Sequence, residues 1–396
     1  MTTSAAPSTA ILSEAADGPV RVGQYRVCVK CVMDTSDREI TFNGEGICSH
    51  CQMYEDQANL RSSTPANREA ELAHIVNEMK AAGNGNDYDC ILGVSGGVDS
   101  TYVAYLLRRM GLRVLAIHVD NGWNSELAVF NIERALKVLD IDLHTEVLDW
   151  QEFRDLQLSF LKASVPDGEI PTDHAIFAVL SEAPSRFKCR YVINGVNHTS
   201  EAILPTSWTY GVSDWLYIRS IHKQFGRVPF KTYPHFFRWF HYFRRVALQH
   251  HSVALLDFIA YRKEDAKRVL EKELGWRDYG GKHYESIYTR FFQGYILPRK
   301  FGIDKRRAHL SSLICAGQIT REEAMRELEA PTYNPALQME DREYTLKKLG
   351  LTNEEFDRIL SAPPKTYDDY PNSRRYFPLL RFLARIARKL GILKLS

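Results

Sequence analysis

The chain carries one short segment in which glycine, serine and aspartate lie where a predicted strand gives way to a predicted helix. The apolar run Ile91–Val94 predicts a buried strand, and helical spacing of apolar residues resumes at Tyr102. A glycine-rich junction of this kind exposes backbone N–H groups at a helix N-terminus, where anions and most often phosphate bind. Two hydroxyls and a carboxylate exceed what a tight turn between strand and helix needs. We therefore predict that a nucleotide contacts the six residues of this loop, Ser95, Gly96, Gly97, Val98, Asp99 and Ser100.

This loop contains no lysine, which separates it from the phosphate-binding loop of nucleotide kinases. That loop requires the pattern G-x-x-x-x-G-K-[ST], and Gly281-Lys282-His283 ends in the wrong residue and lacks a preceding strand. A lysine-free loop can still hold pyrophosphate through N–H groups, serine hydroxyls and the helix dipole. Asp99 is the first candidate for a carboxylate that holds Mg²⁺.

Further polar residues follow the other predicted strands. Asp120 ends the second strand, and Gly195, Asn197 and Glu201 follow the fourth. Ligands of a parallel sheet bind beyond the carboxyl ends of its strands, so we predict that these four residues contact the nucleotide. A second interpretation stays open for Asp99 and Asp120, in which the carboxylate is only a helix N-cap or a turn residue.

Three more residues are candidates for catalysis. The segment "PTDHA" places Asp173 and His174 together before a predicted helix, where Asp173 also suits the N-cap position. Lys282 opens a basic region that continues to Arg307, and it is either a solvated face or a set of cations that converge on phosphate. We predict catalytic roles for Asp99, Asp173, His174 and Lys282.

Four of the seven cysteines form a metal-binding pattern. "CVKC", sixteen residues and "CSHC" give the double-knuckle spacing of a zinc ribbon, in which four thiolates complete a closed tetrahedral shell. A closed shell leaves no position for substrate, so we predict a structural Zn²⁺. An iron–sulfur cluster, disulfides, or His50 as a competing ligand are the alternatives. The predicted ligands are Cys28, Cys31, Cys48 and Cys51.

Strand and helix patterns alternate from residue 89 to residue 196, which predicts an α/β fold with a doubly wound parallel sheet and helices on both faces. Residues 215–256 differ from this part, because they contain no acidic residue and many aromatic ones. Helical patterns follow them. We predict five parts: a disordered lead (1–24), a small zinc-ribbon module (25–60), the nucleotide-binding α/β domain (61–214), an aromatic, basic and helical region for substrate or partner (215–345), and a helical tail with a basic amphipathic C-terminus (346–396).

The loop resembles the SGGxDS signature of the ATP pyrophosphatase, or PP-loop, superfamily, whose fold is adenine nucleotide alpha hydrolase-like. The resemblance implies that ATP is cleaved between its α- and β-phosphates and that an oxygen of the substrate is adenylated. A nitrogen or sulfur nucleophile then displaces AMP.

A longer resemblance runs through "CVKCVMDTSDREITFNGEGICSHC", "GVSGGVDSTYVA", "VDNGWNSELAV", "TDHAI", "INGVNHTSEAILP" and the segment from "KHYESIYTRFF" to "ITREEA". Together these segments, from Val27 to Ala330, are similar to the N-acetyl sugar amidotransferases of bacterial surface-polysaccharide biosynthesis. That family consists of PP-loop enzymes with a four-cysteine module. The resemblance implies that ATP activates the acetamido group of a sugar, which we expect to be nucleotide-linked, and that ammonia converts it to an acetamidino group in lipopolysaccharide or O-antigen synthesis.

This reaction requires a source of ammonia. Glutamine hydrolysis usually needs a nucleophilic cysteine, either at a processed N-terminus or in a triad. The chain begins Met-Thr-Thr, and Cys90, Cys189 and Cys315 lie in or beside predicted strands and helices, where they suit core packing. We therefore expect a separate glutaminase to deliver ammonia, and the resemblance implies a glutaminase subunit and a cyclase-like barrel subunit as partners.

Two rival functions stay open. A tRNA-modifying PP-loop enzyme, either a thiolase or a lysidine-type synthetase, needs a basic face, which residues 215–256 offer. A sulfur-transferring enzyme also needs extra reactive cysteines, however, and Cys189 stands alone. The second rival is a zinc-stabilised scaffold that binds nucleotide without reaction. The net charge of +2 gives no general argument for nucleic acid, and we expect none as a partner.

The ends of the chain bear on location. No run of eighteen apolar residues occurs, and the first twenty residues lack the apolar core of a signal peptide, so we predict a cytoplasmic protein. Leu379–Leu390 predicts an amphipathic helix with basic residues off its apolar face. Three roles stay open for it: peripheral contact with an anionic membrane, contact with a partner, or packing on its own domain.

Overall fold

The computed structural model of the protein describes residues 25–60, 64–237, 244–245, 247–281 and 284–376. Five strands of this part form one sheet in which all neighbours are parallel, in the order β3-β2-β1-β4-β5. The strands are β1 (Cys90–Gly93), β2 (Val114–Asp120), β3 (Asp142–Val147), β4 (Tyr191–Asn194) and β5 (His251–Ala254). The α/β fold class predicted from the alternation of strand and helix patterns is confirmed.

Helices connect and flank the strands. In chain order they are α1 (Ser49–Leu60), α2 (Pro65–Ala82), α3 (Val98–Arg109), α4 (Glu126–Leu139), α5 (Trp150–Ala163), α6 (Ile170–Arg186), α7 (His198–Glu201), α8 (Trp215–Phe225), α9 (Lys263–Leu274), α10 (Ile287–Phe291), α11 (Arg306–Cys315), α12 (Arg321–Glu329), α13 (Pro335–Leu349) and α14 (Asn353–Ser361). A ten-residue π-helix, Phe292–Phe301, continues α10. Short 3-10 turns cover Thr206–Trp208, Leu255–Phe258, Tyr367–Asp369 and Arg374–Tyr376.

Helices cover both faces of the sheet, as the continuous apolar character of its central strands requires. Leu92 of β1 lies in an apolar cluster with residues of α2, α3, α4 and α9. Ile91, the residue before it in the strand, points to the opposite face and lies in a cluster with Ala183 of α6. This alternation along β1 follows from the two-residue period of a strand.

The fifth strand is a finding that the sequence patterns did not predict. β5 pairs with β4 through Tyr191 and His251 and through the three residue pairs that follow them. It lies within residues 215–345, which we assigned to a substrate or partner region. The sheet therefore continues past the boundary predicted at residue 214.

A third apolar cluster lies outside the sheet. It joins Phe153 of α5, Tyr217 of α8, Phe292 of the π-helix and Leu349 of α13 to the buried cysteines near the start of the chain. The cysteine segment and the helical part of the chain thus share one core. None of the helices within the part of the chain that the structure describes has both the length and the apolar character needed to cross a membrane.

Candidate functional site

An open cleft of about 2170 Å³ lies at the carboxyl ends of β1, β2 and β4. The predicted loop borders it at the β1–α3 junction, and polar residues from β2, α6 and the π-helix complete the lining. This is the edge at which a parallel sheet places its ligands. Among the residues predicted from the sequence, those that line the cleft are Ser95, Gly97, Val98, Asp99, Ser100, Asp173, Gly195 and Glu201.

The loop is held in shape by its own hydroxyls. The Ser95 N–H donates to Ser100 Oγ at 3.3 Å, and the Gly97 N–H donates to Ser95 Oγ at 3.3 Å. Ser100 Oγ donates to the Gly97 carbonyl at 3.3 Å, and Trp276 Nε1 donates to the Gly96 carbonyl at 3.0 Å. The loop therefore has a defined conformation at the N-terminus of α3, where Gly97 is the N-cap.

Two glycines are required by close approach. Gly96 has φ +82°, and a Cβ atom there would lie 2.7 Å from the Ala128 carbonyl oxygen. A Cβ atom on Gly195 would lie 2.9 Å from the Ser100 backbone nitrogen. Gly195 thus lets the segment after β4 lie directly against the first turn of α3, which accounts for the glycine without a nucleotide.

Asp99 lies in the first turn of α3, two residues after the N-cap, so the interpretation of Asp99 as an N-cap is wrong. Its Oδ1 accepts a hydrogen bond from the Tyr261 hydroxyl. Burial, with Asp99 beside it, raises the pKa of Tyr261, which keeps that hydroxyl a donor. Tyr261 was not predicted, because a tyrosine after a 3-10 turn carries no motif.

Asp120 has the turn role that we left open for it. Its Oδ1 accepts from the Gly122 N–H at 2.8 Å and from Asn124 Nδ2 at 3.1 Å. Asn124 Nδ2 also lies 3.0 Å from His118 Nε2, and His118 Nδ1 lies 3.0 Å from the Val94 carbonyl oxygen. Because the amide donates to Nε2, the proton of a neutral His118 lies on Nδ1. His118 and Asn124 line the cleft and were missed.

The part of the cleft that α6 and the π-helix line, which we call its far end, contains a half-buried ion pair that the sequence did not indicate. Lys305 Nζ lies 2.7 Å from Glu169 Oε2, and Gln293 Nε2 donates to both carboxylate oxygens at 3.0 Å. Burial alone would lower the pKa of Lys305, but Glu169 outweighs it and the pKa is raised. Asp173 lines the same end, one helical turn after Glu169.

The predicted start of α6 was wrong. The helix begins at Ile170 with Glu169 as N-cap and Pro171 in its first turn. Asp173 therefore lies within the first turn, and its interpretation as an N-cap does not hold. The error arose because proline ordinarily suggests a break, whereas the first helical turn tolerates it.

His174 lies behind the cleft wall. It is fully buried, its Nδ1 bonds the Val212 carbonyl at 2.7 Å, and its Nε2 accepts from the Phe236 N–H at 3.4 Å. Its ring stacks on Phe236 and Trp215. Burial lowers the pKa of His174 to about 4, so the ring is neutral at pH 7. This geometry favours a structural role over the catalytic role predicted for it.

Asn197 also has a local role. It is buried and N-caps α7, because its Oδ1 accepts from the Ser200 N–H at 2.9 Å and from Ser200 Oγ at 3.0 Å. This capping role accounts for Asn197 without the nucleotide contact that we predicted for it.

The basic region splits into residues with separate structural tasks. Arg306 bonds carbonyls near the end of α12, and Arg307 bonds Asp34 and the Val32 carbonyl. Lys300 donates to three carbonyls at the end of α14, and burial lowers its pKa to about 8. These three are neither a solvated face nor a phosphate cradle.

Several predictions fall on parts of the chain that the structure does not describe. The predicted catalytic Lys282 lies outside the described residues, as do the lead 1–24 and the helix predicted at Leu379–Leu390. Glu285, which follows Lys282 closely in the chain, is among the described residues. A Cβ atom on Gly97 would lie 3.9 Å from Glu285 Oε1, so this carboxylate borders the loop.

The four predicted metal ligands form a cluster, which we call the cysteine centre: Cys28, Cys31, Cys48 and Cys51. Their sulfur atoms all lie within 4.8 Å of one another, and all four residues are fully buried. Three sulfur–sulfur distances are 3.9, 3.7 and 3.8 Å. A tetrahedron of sulfurs about 2.3 Å from a zinc ion has edges of about 3.8 Å. The cysteine centre therefore can hold one zinc ion.

The surroundings of the cysteine centre suit thiolates. The Lys30 and Cys31 N–H groups each lie 3.4 Å from the Cys28 sulfur, and the Met33 N–H lies 3.4 Å from the Cys31 sulfur. His50 is not a competitor, because its Nε2 bonds Asp37 at 2.6 Å. Although burial alone would raise it, the pKa of Asp37 is held below its usual value by hydrogen bonds from His50 and Ser207.

Hydrogen bonds between the segment around the cysteine centre and side chains of α11 and α12 hold it against these two helices. Arg321 of α12 donates to the Cys31 carbonyl at 3.1 Å and to the Cys28 carbonyl at 3.2 Å. Ser311 of α11 accepts from the Val32 N–H at 3.2 Å. The N-terminal segment thus packs on α11 and α12 rather than on the sheet.

Comparison with known proteins gives one match. A family model described as "LPS biosynthesis protein WbpG-like, C-terminal domain" matches residues 285–386, about a quarter of the chain. No curated protein matches the sequence. The match supports a protein of surface-polysaccharide biosynthesis. The matched range begins at Glu285, beside the loop, and contains Gln293 and Lys305 of the far end of the cleft.

Proposed function

We propose that the protein is an ATP-dependent amidotransferase of surface-polysaccharide biosynthesis, which converts an acetamido group of a sugar to an acetamidino group. The proposal rests chiefly on one observation. A lysine-free loop of glycine and serine lies at the N-terminus of α3, and it faces a cleft that also receives residues from the segment matched by the polysaccharide family model.

The loop suits the diphosphate part of ATP. Backbone N–H groups at a helix N-terminus and nearby hydroxyls bind phosphate oxygens, and the helix dipole favours their charge. In the proposed reaction the oxygen of the acetamido group attacks the α-phosphorus of ATP, and pyrophosphate leaves. Mg²⁺ would neutralise charge on that pyrophosphate, and it is commonly held by one or two carboxylates together with substrate phosphates. Asp99 is the residue of the loop that can supply such a carboxylate.

Adenylation solves a leaving-group problem. An amide oxygen leaves poorly as hydroxide, whereas the same oxygen leaves readily as part of AMP. The amide N–H proton is lost on adenylation, which leaves a neutral imidate. Ammonia then adds to the activated carbon, AMP departs with the oxygen, and the three hydrogens of ammonia stay on the product as an amidinium cation, so no proton is taken up. The acceptor changes from neutral to positive during this half of the reaction.

The far end of the cleft suits that change of charge. Glu169 and Asp173 lie one helical turn apart on α6 and line the cleft, and Lys305 with Gln293 fixes the Glu169 carboxylate. Carboxylates that are held in place near a developing cation stabilise it electrostatically. We therefore place the sugar acceptor at this end and the diphosphate at the loop.

The ammonia source is proposed to be a separate glutaminase, with a cyclase-like barrel subunit to transfer ammonia. Cys90 and Cys189 are buried in the sheet and at its edge, and neither lines the cleft. Among the residues that the structure describes, we find no cysteine placed as a glutaminase nucleophile in the cleft.

The test supplies the purified protein with ATP, Mg²⁺, ammonium and UDP-linked acetamido sugars. We expect release of pyrophosphate and AMP, and a product whose mass reflects replacement of one oxygen by NH. Asp99→Asn should slow pyrophosphate release by about 10²- to 10³-fold, the usual effect of removing a charge-stabilising group. The matched control is Asp149→Asn, at the N-cap of α5, where asparagine caps equally well.

Two results would contradict the proposal. Release of ADP and orthophosphate would place the cleavage at the wrong bond. Adenylation of tRNA in preference to every acetamido sugar would instead support the tRNA-modifying alternative.

A further inference from the structure

A fifth cysteine contacts the cysteine centre. Cys315 is the last residue of α11, and its thiol donates to the Cys51 sulfur at 3.8 Å. We interpreted Cys315 from the sequence as core packing, and the structure corrects this, since the residue adjoins a predicted metal ligand. The contact joins segments that are far apart in the chain.

Exposure distinguishes Cys315 from the other cysteines. The four residues of the cysteine centre and Cys90 are fully buried, and Cys189 is 4% exposed. Cys315 is half-buried. It therefore lies where a small oxidant from solvent can reach it, whereas the adjoining Cys51 is buried.

We propose that Cys315 is the oxidant-sensing thiol of the cysteine centre, which forms a disulfide with Cys51 when the protein meets a peroxide. In the first step the Cys315 thiolate attacks hydrogen peroxide, giving a sulfenic acid at Cys315 and hydroxide. In the second step the Cys51 sulfur attacks the sulfenic sulfur, a disulfide forms, and the sulfenic oxygen leaves as water. The peroxide is reduced by two electrons, and the two thiols are oxidised by the same two.

The geometry suits the second step. A disulfide has a sulfur–sulfur bond of about 2.05 Å, so the two sulfurs have to approach by less than about 2 Å. Cys315 ends its helix, and Cys51 lies in the first turn of α1, so each side chain can move without unwinding the middle of a helix. Rapid reaction of the sulfenic acid with a nearby thiol keeps the oxidation reversible and prevents further oxidation to sulfinic acid.

The consequence for the metal follows from the ligand count. A disulfide removes Cys51 from the four thiolates, and the three that remain cannot complete a closed tetrahedral shell. The segment stays attached, because Arg321 and Ser311 bind main-chain atoms rather than sulfurs. Oxidation would therefore release the metal and preserve the protein for reduction and reloading.

The test uses the full-length protein as purified, with its zinc content measured before and after hydrogen peroxide. Wild-type protein should lose its zinc, show a peptide linking Cys51 to Cys315 by mass spectrometry, and regain its starting zinc content after dithiothreitol and added zinc. Cys315→Ser should form no such link and should keep most of its zinc under the same peroxide treatment, because the four sulfurs of the cysteine centre are buried.

Cys189→Ser is the control, because Cys189 is a buried thiol outside the cysteine centre, and it should behave as wild type. The proposal fails if Cys315→Ser loses as much zinc to peroxide as wild type. It also fails if the main disulfide of the oxidised wild type joins two cysteines of the centre to each other. Equal zinc content and thermal unfolding of the untreated proteins show that the variants are folded, so neither result can be attributed to misfolding.

Discussion

The cysteine centre and the loop cleft differ in how much of each site one sequence segment contains. All four sulfurs of the cysteine centre come from residues 28–51, and a single atom type at fixed spacing defines the geometry. The cleft draws on β1, β2, α6, α7 and the π-helix, which only the folded chain brings together. A self-contained motif can be located by spacing, whereas a distributed site needs the topology of the sheet.

The largest effect is expected at the cysteine centre. Cys48→Ser should remove one of four ligands, lower the zinc content severalfold and lower the temperature of unfolding, because a structural zinc site contributes on the order of 10 kcal/mol. The cysteines also lie within the apolar cluster that includes Phe153 and Phe292, so the effect should extend beyond the segment. Metal analysis and thermal unfolding measure both.

The control for this change is Cys189→Ser. Cys189 is buried and its thiol points at the carbonyls of Tyr88 and Phe187, which a serine hydroxyl can also reach. It should retain the zinc. Full zinc content with unchanged unfolding in Cys48→Ser would show that the cysteine centre has no structural role.

The next largest loss of stability is expected from substitution of a loop glycine, because a side chain there would strain the backbone. Gly96→Ala combines φ +82° with a Cβ contact of 2.7 Å to a carbonyl, so we expect a loss of about 2–4 kcal/mol in the free energy of unfolding. Gly85→Ala is matched in φ, at +81°, but has open space around its Cβ, and should lose only about 1 kcal/mol. Denaturant unfolding measures the difference, and equal losses would mean that the close approach at Gly96 is unimportant.

The outcome at individual residues shows what the sequence could establish. The loop was predicted because strand, glycines and helix are contiguous, and short apolar runs between helical patterns identified four of the five strands. β5 was missed because its first two residues, His251 and Ser252, are polar and exposed at the sheet edge, and the apolar residues after them continue into a 3-10 turn. Edge position, which only the fold determines, allows that composition.

The remaining site residues needed three-dimensional information for different reasons. His174 and Asn197 are residue types common in functional sites, yet the side chain of each forms hydrogen bonds with the main chain. Lys305 and Glu169 are far apart in sequence, and neither segment carries a pattern that predicts their ion pair. Spacing cannot reveal whether a polar side chain turns toward a cleft or toward its own backbone.

A smaller effect is expected where α12 holds the segment around the cysteine centre. Arg321→Ala removes two hydrogen bonds to the Cys28 and Cys31 carbonyls. Because both carbonyls lose a donor, the free energy of unfolding should fall by about 1–3 kcal/mol. Arg326→Ala, on the exposed side of the same helix, should change stability by less than about 0.5 kcal/mol. If the two variants unfold alike, α12 does not support the cysteine centre.

The smallest effect concerns the pH response of the wall behind the cleft. Burial lowers the pKa of His174 to about 4, below the ordinary value of 6.5, so the unfolded chain binds more protons than the folded one between these values. The stability that neutral His174 contributes is present above pH 6.5 and is lost as the pH falls toward 4. Between pH 7 and about pH 5.5 the loss should be about 1 kcal/mol.

A buried carboxyl opposes this trend, so the measurement must isolate His174. Burial raises the pKa of Asp167 to about 7, and its contribution to stability therefore increases as the pH falls through the same window. The quantity to measure is the difference in unfolding free energy between wild type and His174→Gln, in which the Asp167 contribution cancels. That difference should shrink on acidification. A constant difference from pH 7 to about pH 5 would mean that His174 titrates normally, and hence that the wall of the cleft admits enough water to solvate the ring.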